Sequence, residues 1–258
     1  MEIMDMLKKD MVENLVKAGK RLDERQFDEY RKITVEKGVL QATHGSALAR
    51  IGKTQVLAAV KFDVSTPFSD RPDEGLLAVG AEFLPVASPE FEPGPPNEHA
   101  IELARVVDRG IRAAEVADLK SFFIEEGKVL GMFVDIYVLD HYGNLIDAAS
   151  LAAMGALMNT RMPKLEDNKM VWGEYKEPLN PKGIVTTTTF NKIAGKILLD
   201  ADRDEEKGAE TRISISMMDN RLCAIQKSMS GSWTKPELDY IFETSTKKNK
   251  ELKNLLEE

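Results

Sequence analysis

Ser46-Ala47-Leu48-Ala49-Arg50-Ile51-Gly52-Lys53-Thr54-Gln55-Val56-Leu57-Ala58-Ala59-Val60 decides how the chain is read. Two apolar runs flank Gly52-Lys53. A two-residue loop with glycine first is a type II′ hairpin signal, because glycine takes a positive φ without steric cost. The stretch also excludes a tempting alternative. Gly52-Lys53-Thr54 resembles the end of a phosphate-binding P-loop, but that motif needs glycine at position 47, which is Ala47.

Upstream, Met4, Leu7, Met11 and Leu15 recur at helical spacing and Gly19 offers a stop. Strand texture runs from Ile33 to Val64. Downstream come a polar loop from Thr66 to Gly75, a strand from Ala81 to Val86, and a rigid turn from Pro89 to Pro96. A helix is expected from Asn97 to Leu119, with Ala100, Ala104, Val107, Ile111 and Ala114 as its buried stripe. A strand pair ends at Met132–Leu139, a turn follows at 141–144, and Ala148–Met158 reads as a small-residue helix. Pro163 to Pro181 reads as polar and irregular.

The second half offers strands at Ile184–Phe190, Lys196–Leu199, Arg212–Met217 and Cys223–Lys227, then a helix from Thr234. Thr234-Lys235-Pro236-Glu237 fits a capping box. The pattern is α+β, two strand-then-helix lobes. The expected division is an N-terminal helix at 1–20, a first lobe at 21–162, a connecting segment at 163–183 and a second lobe at 184–258.

Composition bounds the function. The chain has 258 residues, 43% hydrophobic and 30% charged, with net charge −8. That is globular composition. No apolar run reaches 18 residues, so neither a membrane-spanning helix nor a membrane partner is expected. Met1-Glu2-Ile3-Met4-Asp5 does not read as a secretory signal. Cys223 is the only cysteine; it makes no internal disulfide or thiolate zinc cluster, and a cytoplasmic setting is expected. The acidic balance argues against indiscriminate nucleic-acid coating, while leaving room for a local basic site.

Asp200-Ala201-Asp202-Arg203-Asp204 fails as an EF-hand loop, since Glu205 stands where glycine is required. It reads as a solvated loop leaving a strand. His44 and His141 read as turn residues and His99 as a first-turn helix residue.

Several ordered blocks carry a family resemblance. Arg21-Leu22-Asp23-Glu24-Arg25 with Tyr30-Arg31 resembles the R-x-D-G-R…R-P opening of the RNase PH family. Thr43-His44-Gly45-Ser46-Ala47-Leu48, with the hairpin after it, resembles that family's D-G-S-A…G-x-T-x-V-L-A. Phe91–Glu98, Ala100–Arg109, Val134–Asp140 and Ile225–Ser228 resemble, in particular, the non-catalytic RNase-PH-like subunit of the archaeal exosome. Glu24 and His44 depart from the pattern at turn-like positions. The resemblance implies a ribosomal protein S5 domain 2-like fold. It also implies an alternating hexameric ring with a catalytic RNase-PH-like exosome subunit, S1/KH-type cap proteins and single-stranded RNA.

The same resemblance implies no catalytic residue and no metal ligand in this chain. Active members carry tandem arginines where this chain has Glu98-His99. They carry a donor-rich phosphate turn where it has His141 to Ile146. They place two Asp where it has Leu199 and Glu205. Mg²⁺ and inorganic phosphate are therefore expected at the partner's active site, with no cofactor here. The alternative is a stand-alone phosphorolytic 3′-5′ exoribonuclease or tRNA-processing enzyme.

Arg105, Arg109 and Arg112 share one helical face. Arg112 has Asp108 and Glu115 at helical spacing, and Arg105 has Glu102 and Asp108. Arg109 has no carboxylate neighbour, so an anion is expected over it. The resemblance adds Arg105 to Arg109 as the expected RNA-binding pair.

Overall fold

The computed structural model describes residues 3–258, with side chains from Met6 onward. Helix α1 (Ile3–Lys17) forms as its spacing predicts. Its packing face differs: Val12 and Val16 are buried, while Leu7 and Met11 are exposed. Met4 lies outside the described side chains.

The first sheet contains β1 (Ile33–Lys37), β2 (Gly45–Ile51), β3 (Thr54–Ser65), β4 (Leu76–Phe83), the short β5 (Phe123–Glu125) and β6 (Lys128–Asp140). Its order is β1-β2-β3-β6-β4, with β5 beside β6. The deciding hairpin is β2–β3, with Ile51 opposite Thr54 and Gly52 at φ +58. The expected strand at 81–86 begins earlier and ends before Pro85. That strand, β4, runs parallel to β6. It reaches β6 through helix α2 (Glu98–Ala113), a crossover unit inside an otherwise antiparallel sheet.

Helix α2 is shorter than expected. Asn97 caps it through a bond from the Ala100 amide, and Glu115 at φ +51 turns the chain away after Ala114. Residues 119–122 form a separate 3₁₀ turn. The buried stripe is as expected.

Helix α3 (Leu145–Met158) lies between the first sheet and the second, so nearly every side of it is buried. Small residues permit this: a Cβ on Gly155 would come within 3.0 Å of Ala47 Cβ.

The segment expected to be irregular is instead an antiparallel hairpin, β7 (Arg161–Glu166) with β8 (Lys169–Pro178). Alternation there is too weak to reveal strands, because most of its side chains face solvent.

The second sheet contains β9 (Val185–Ile193), β10 (Lys196–Leu199), β11 (Thr211–Met218) and β12 (Arg221–Ser228), ordered β10-β9-β11-β12. Between β10 and β11 lies a short helix, α4 (Arg203–Gly208), which the sequence reading missed. Helix α5 (Lys235–Glu257) closes the chain, with the expected capping box at Thr234 and Glu237.

Strand β9 buries both faces. Thr187 and Thr189 bond Ser150 and Asp147 of α3, while Thr186 and Thr188 meet Asn249 and Ser245 of α5. Paired hydroxyls offset the cost of burying this polar strand in the core.

Candidate functional site

The acidic cluster after β10 is not a solvated loop. Asp200 is fully buried and accepts bonds from Arg25, Arg31 and Asn144. Asp202 caps α4 in a capping box with Glu205. Glu205 takes a bidentate pair from buried Arg21, at 2.9 Å and 2.6 Å. Arg21 also donates to the carbonyls of Leu199 and Asp200. The arginines of the Arg21–Arg31 block therefore clamp the loop between β10 and α4. Desolvated charges require such pairing, which is why acids and bases distant in sequence meet here. Glu24 sits at φ +63, which explains why glycine is the family residue at that turn.

The turn after β6 docks against the same loop. A Cβ on Gly143, at φ +86, would come within 2.6 Å of the Arg203 amide nitrogen, so only glycine fits. This contact, with His99 from α2, forms a cleft of about 270 Å³. Two of the three places that the resemblance assigns to phosphate and metal, the start of α2 and the turn after β6, meet at this cleft, and the third does not reach it. His99 is exposed at the mouth, and its partner at 4.0 Å is the carboxylate of Glu98. Leu145 and Ile146 line the wall without side-chain donors. Leu199 is buried against Phe190, Ile213 and Ile215, away from the cleft.

Besides Glu90 and Glu102, the cleft is lined by the carboxylate of Glu206, which the sequence reading passed over. It accepts the Asn144 amide at 2.8 Å, and burial raises its pKa. Asp202-x-x-Glu205 is a legible capping box, and would have revealed α4 and placed Glu206 on a different face from Glu205. Arg212 lines the cleft and pairs weakly with Glu102 at 3.5 Å. Among the described residues no group of three or more His, Cys, Asp or Glu is arranged to hold a metal.

Burial shifts His141 down to about 4, helped by nearby Arg203, so the ring is neutral at pH 7. It stacks on Phe91 at 5.4 Å. Half-buried and stacked, it does more than occupy a turn. His44 is likewise buried at its bend, edge-on to Phe62 and Tyr175. His99 sits in the first turn of α2 as expected.

On α2, Arg112 holds Asp108 through two bonds and donates to the Leu77 carbonyl. Glu102 faces Arg212 and accepts from Ser228. Both carboxylates near Arg105 are thus already engaged. Arg105 is exposed and makes no ion pair among the described residues. Arg109 is also exposed; its Nη2 donates to Gln226 Oε1 at 2.7 Å. Gln226 on β12 steers Arg109 without neutralising it, a role sequence spacing could not reveal. The result is an adjacent pair of uncompensated guanidinium groups on one helix face.

Comparison with known proteins decides the family. Residues 29–163 match the 3′ exoribonuclease family, domain 1, and residues 183–248 match domain 2. The chain belongs to the RNase PH family of 3′ exoribonucleases. The exosome complex component Rrp42 of Thermococcus gammatolerans is 44% identical, over 99% of this chain and 96% of that protein. Rrp42 of Methanopyrus kandleri is 42% identical, over 98% and 97%. Among solved structures, a chain of the Archaeoglobus fulgidus exosome with RNA bound to the active site superposes with TM-score 0.92. It is 40% identical, and the match covers 98% of this chain and 99% of that one. The α+β fold read from the sequence is the RNase PH fold.

Proposed function

We propose that this chain is the non-catalytic, RNA-gripping subunit of an exosome ring. It scaffolds a catalytic RNase-PH-like subunit in an alternating hexamer and presents Arg105 and Arg109 to single-stranded RNA beside that partner's active site. Near-full-length likeness to archaeal Rrp42 exosome components supports membership of the ring. The observation that carries the non-catalytic reading is the cleft. Phosphorolysis needs cations for phosphate, charge neutralisation for the transferring phosphoryl group, and an aligned 3′ end. At the matching places stand Glu98 and His99 beside the cleft and Leu145 and Ile146 in its wall, while Leu199 lies in the core and Glu205 is paired with Arg21.

Mg²⁺ and inorganic phosphate belong to the partner's site, and S1/KH-type cap proteins complete the assembly in the cytoplasm. No helix of the described residues is long and apolar enough to cross a membrane. The test is reconstitution. The purified chain, given RNA, phosphate and Mg²⁺, should release no nucleoside diphosphate, whereas the chain mixed with a catalytic partner should release it processively. Phosphate-dependent turnover by the chain alone establishes the stand-alone enzyme instead.

A further inference from the structure

The cleft does not end at its mouth. It opens onto a groove of about 500 Å³ that shares Phe83, Glu90 and Phe91 with it and runs along the Pro93–Pro96 turn. Glu82 and Glu92 line the groove, and Glu98 stands between Asn97 and His99, which line the two parts. Glu90 is neutralised by Arg203 at 2.6 Å. Glu82 and Glu92 make no ion pair among the described residues, and Glu98 faces only His99. Three carboxylates are thus in excess along one trough.

A second observation points to the same ligand chemistry. Asn144 lines the cleft and is 2% exposed. Its Nδ2 donates to Asp147 at 2.9 Å and Asp200 at 2.8 Å, which fixes the amide orientation. Its Oδ1 is left buried without a donor. A buried acceptor with no partner costs free energy until a donor arrives. Pro93, Pro95 and Pro96 lack N–H groups, so the rim is also poor in donors. The remaining wall is aromatic: Phe83 on Phe91 at 4.7 Å, and Phe91 on neutral His141. Such a face attracts a cation with an aliphatic stem.

We propose that this trough binds a basic segment of a protein partner, one lysine or arginine entering the cleft against Phe91 and His141 while the segment's backbone follows the groove. A single side chain suits the smaller cavity, and the larger, continuous groove calls for an extended chain. RNA is disfavoured because Arg203 and Arg212 are paired with Glu90 and Glu102, while Glu82, Glu92 and Glu98 add negative charge that no cation balances. The proposal shares with the proposed function only the premise that the cleft holds no phosphate.

The probe is a blocked five-residue peptide of alternating lysine and alanine, titrated into the full chain labelled at leucine and isoleucine methyls. Methyls of Leu103, Leu145 and Ile146 should shift saturably. The triple variant Glu82→Gln, Glu92→Gln, Glu98→Gln should bind about ten-fold more weakly, as expected for three exposed charge pairs. Phe91→Ala should also weaken binding. The control triple Glu126→Gln, Glu177→Gln, Glu257→Gln should bind as the unaltered chain does. If Phe91→Ala unfolds, the exposed glutamate triples carry the test. Unmoved methyls, or equal loss in both triples, overturn the trough while leaving the non-catalytic reading intact. If inorganic phosphate moves the same methyls, both fall.

Discussion

Arg105 and Arg109 differ from Arg112 on the same helix, and from the arginines of the 21–31 block, by what surrounds them. Arg21, Arg25, Arg31 and Arg112 are each consumed by carboxylates and carbonyls. Spacing alone ranks Arg109 above Arg105, because Glu102 and Asp108 lie three residues from the latter. The structure removes that distinction, since Ser228 and Arg212 occupy Glu102 and Arg112 occupies Asp108. Arg105→Glu and Arg109→Glu should therefore weaken RNA capture by assembled rings to similar extents, without preventing assembly. Each should lower the log–log salt slope by about 0.7, the value per phosphate contact on a single strand. Filter binding at several salt concentrations reads both quantities. An unchanged slope for both variants would assign the pair to an ordinary surface.

The Arg21–Glu205 pair makes the opposite prediction, about stability. Both side chains are almost fully buried. Glu205→Gln leaves a buried guanidinium without its counter-charge and should cost about 3–5 kcal/mol, measured by urea denaturation. A loss below 1 kcal/mol would mean that solvent reaches Arg21.

At the scale of elements, α4 and the β6–α3 turn act as one unit. Asp202 caps α4, Glu205 receives Arg21, and Glu206 receives the Asn144 amide. Two titrating groups beside this unit respond to pH in opposite directions. Burial raises Asp147 from 3.8 to about 6, against the bonds it accepts from Thr189, Asn144 and Tyr30. The folded state therefore binds its proton more tightly, so this contribution to stability falls as pH rises from about 4 to 6. His141 is lowered from 6.5 to about 4. There the unfolded state binds the proton more tightly, so stability rises with pH across that window. His141→Gln should consequently compare better with the unaltered chain at pH 5 than at pH 7. Asp147→Asn should compare worse at pH 4 than at pH 7. Urea midpoints at these pH values test both, and a pH-independent difference for either variant contradicts its assignment.

Much of this level was legible beforehand, and the misses share a cause. The β2–β3 hairpin is encoded locally by Gly52-Lys53. Helix α5 is announced by its capping box and α2 by its apolar stripe. The β7–β8 hairpin was invisible because solvent faces most of it and no alternation survives. Helix α4 was hidden by its six-residue length and its charge.

For the whole molecule, α3 and β9 form the central joint. One is a helix buried on nearly all sides, the other a polar strand buried on both faces. Together they join the lobes and hold the cleft between them. A ring subunit with this joint should be stable yet leave apolar surface uncovered: Val86, Phe68 and Trp172 are 80%, 63% and 75% exposed. Mixing with the catalytic partner should yield a stable hetero-oligomer by size-exclusion chromatography. A monodisperse monomer that ignores the partner across a broad salt range contradicts the ring.

The amino-acid sequence by itself determined the hairpin, the long helices and the family resemblance. Those features are local, or depend on residue identity at a known place in a pattern. Only the tertiary structure decided what each charge does. It turned the 200–206 acids from a solvated loop into the anchor for Arg21, Arg25 and Arg31. It freed Arg105, aimed Arg109 through Gln226, and put Glu206 in the cleft. The physical reason is range. Backbone preference and periodicity act over a few residues, whereas a carboxylate's partner can lie 184 residues away and is chosen by packing.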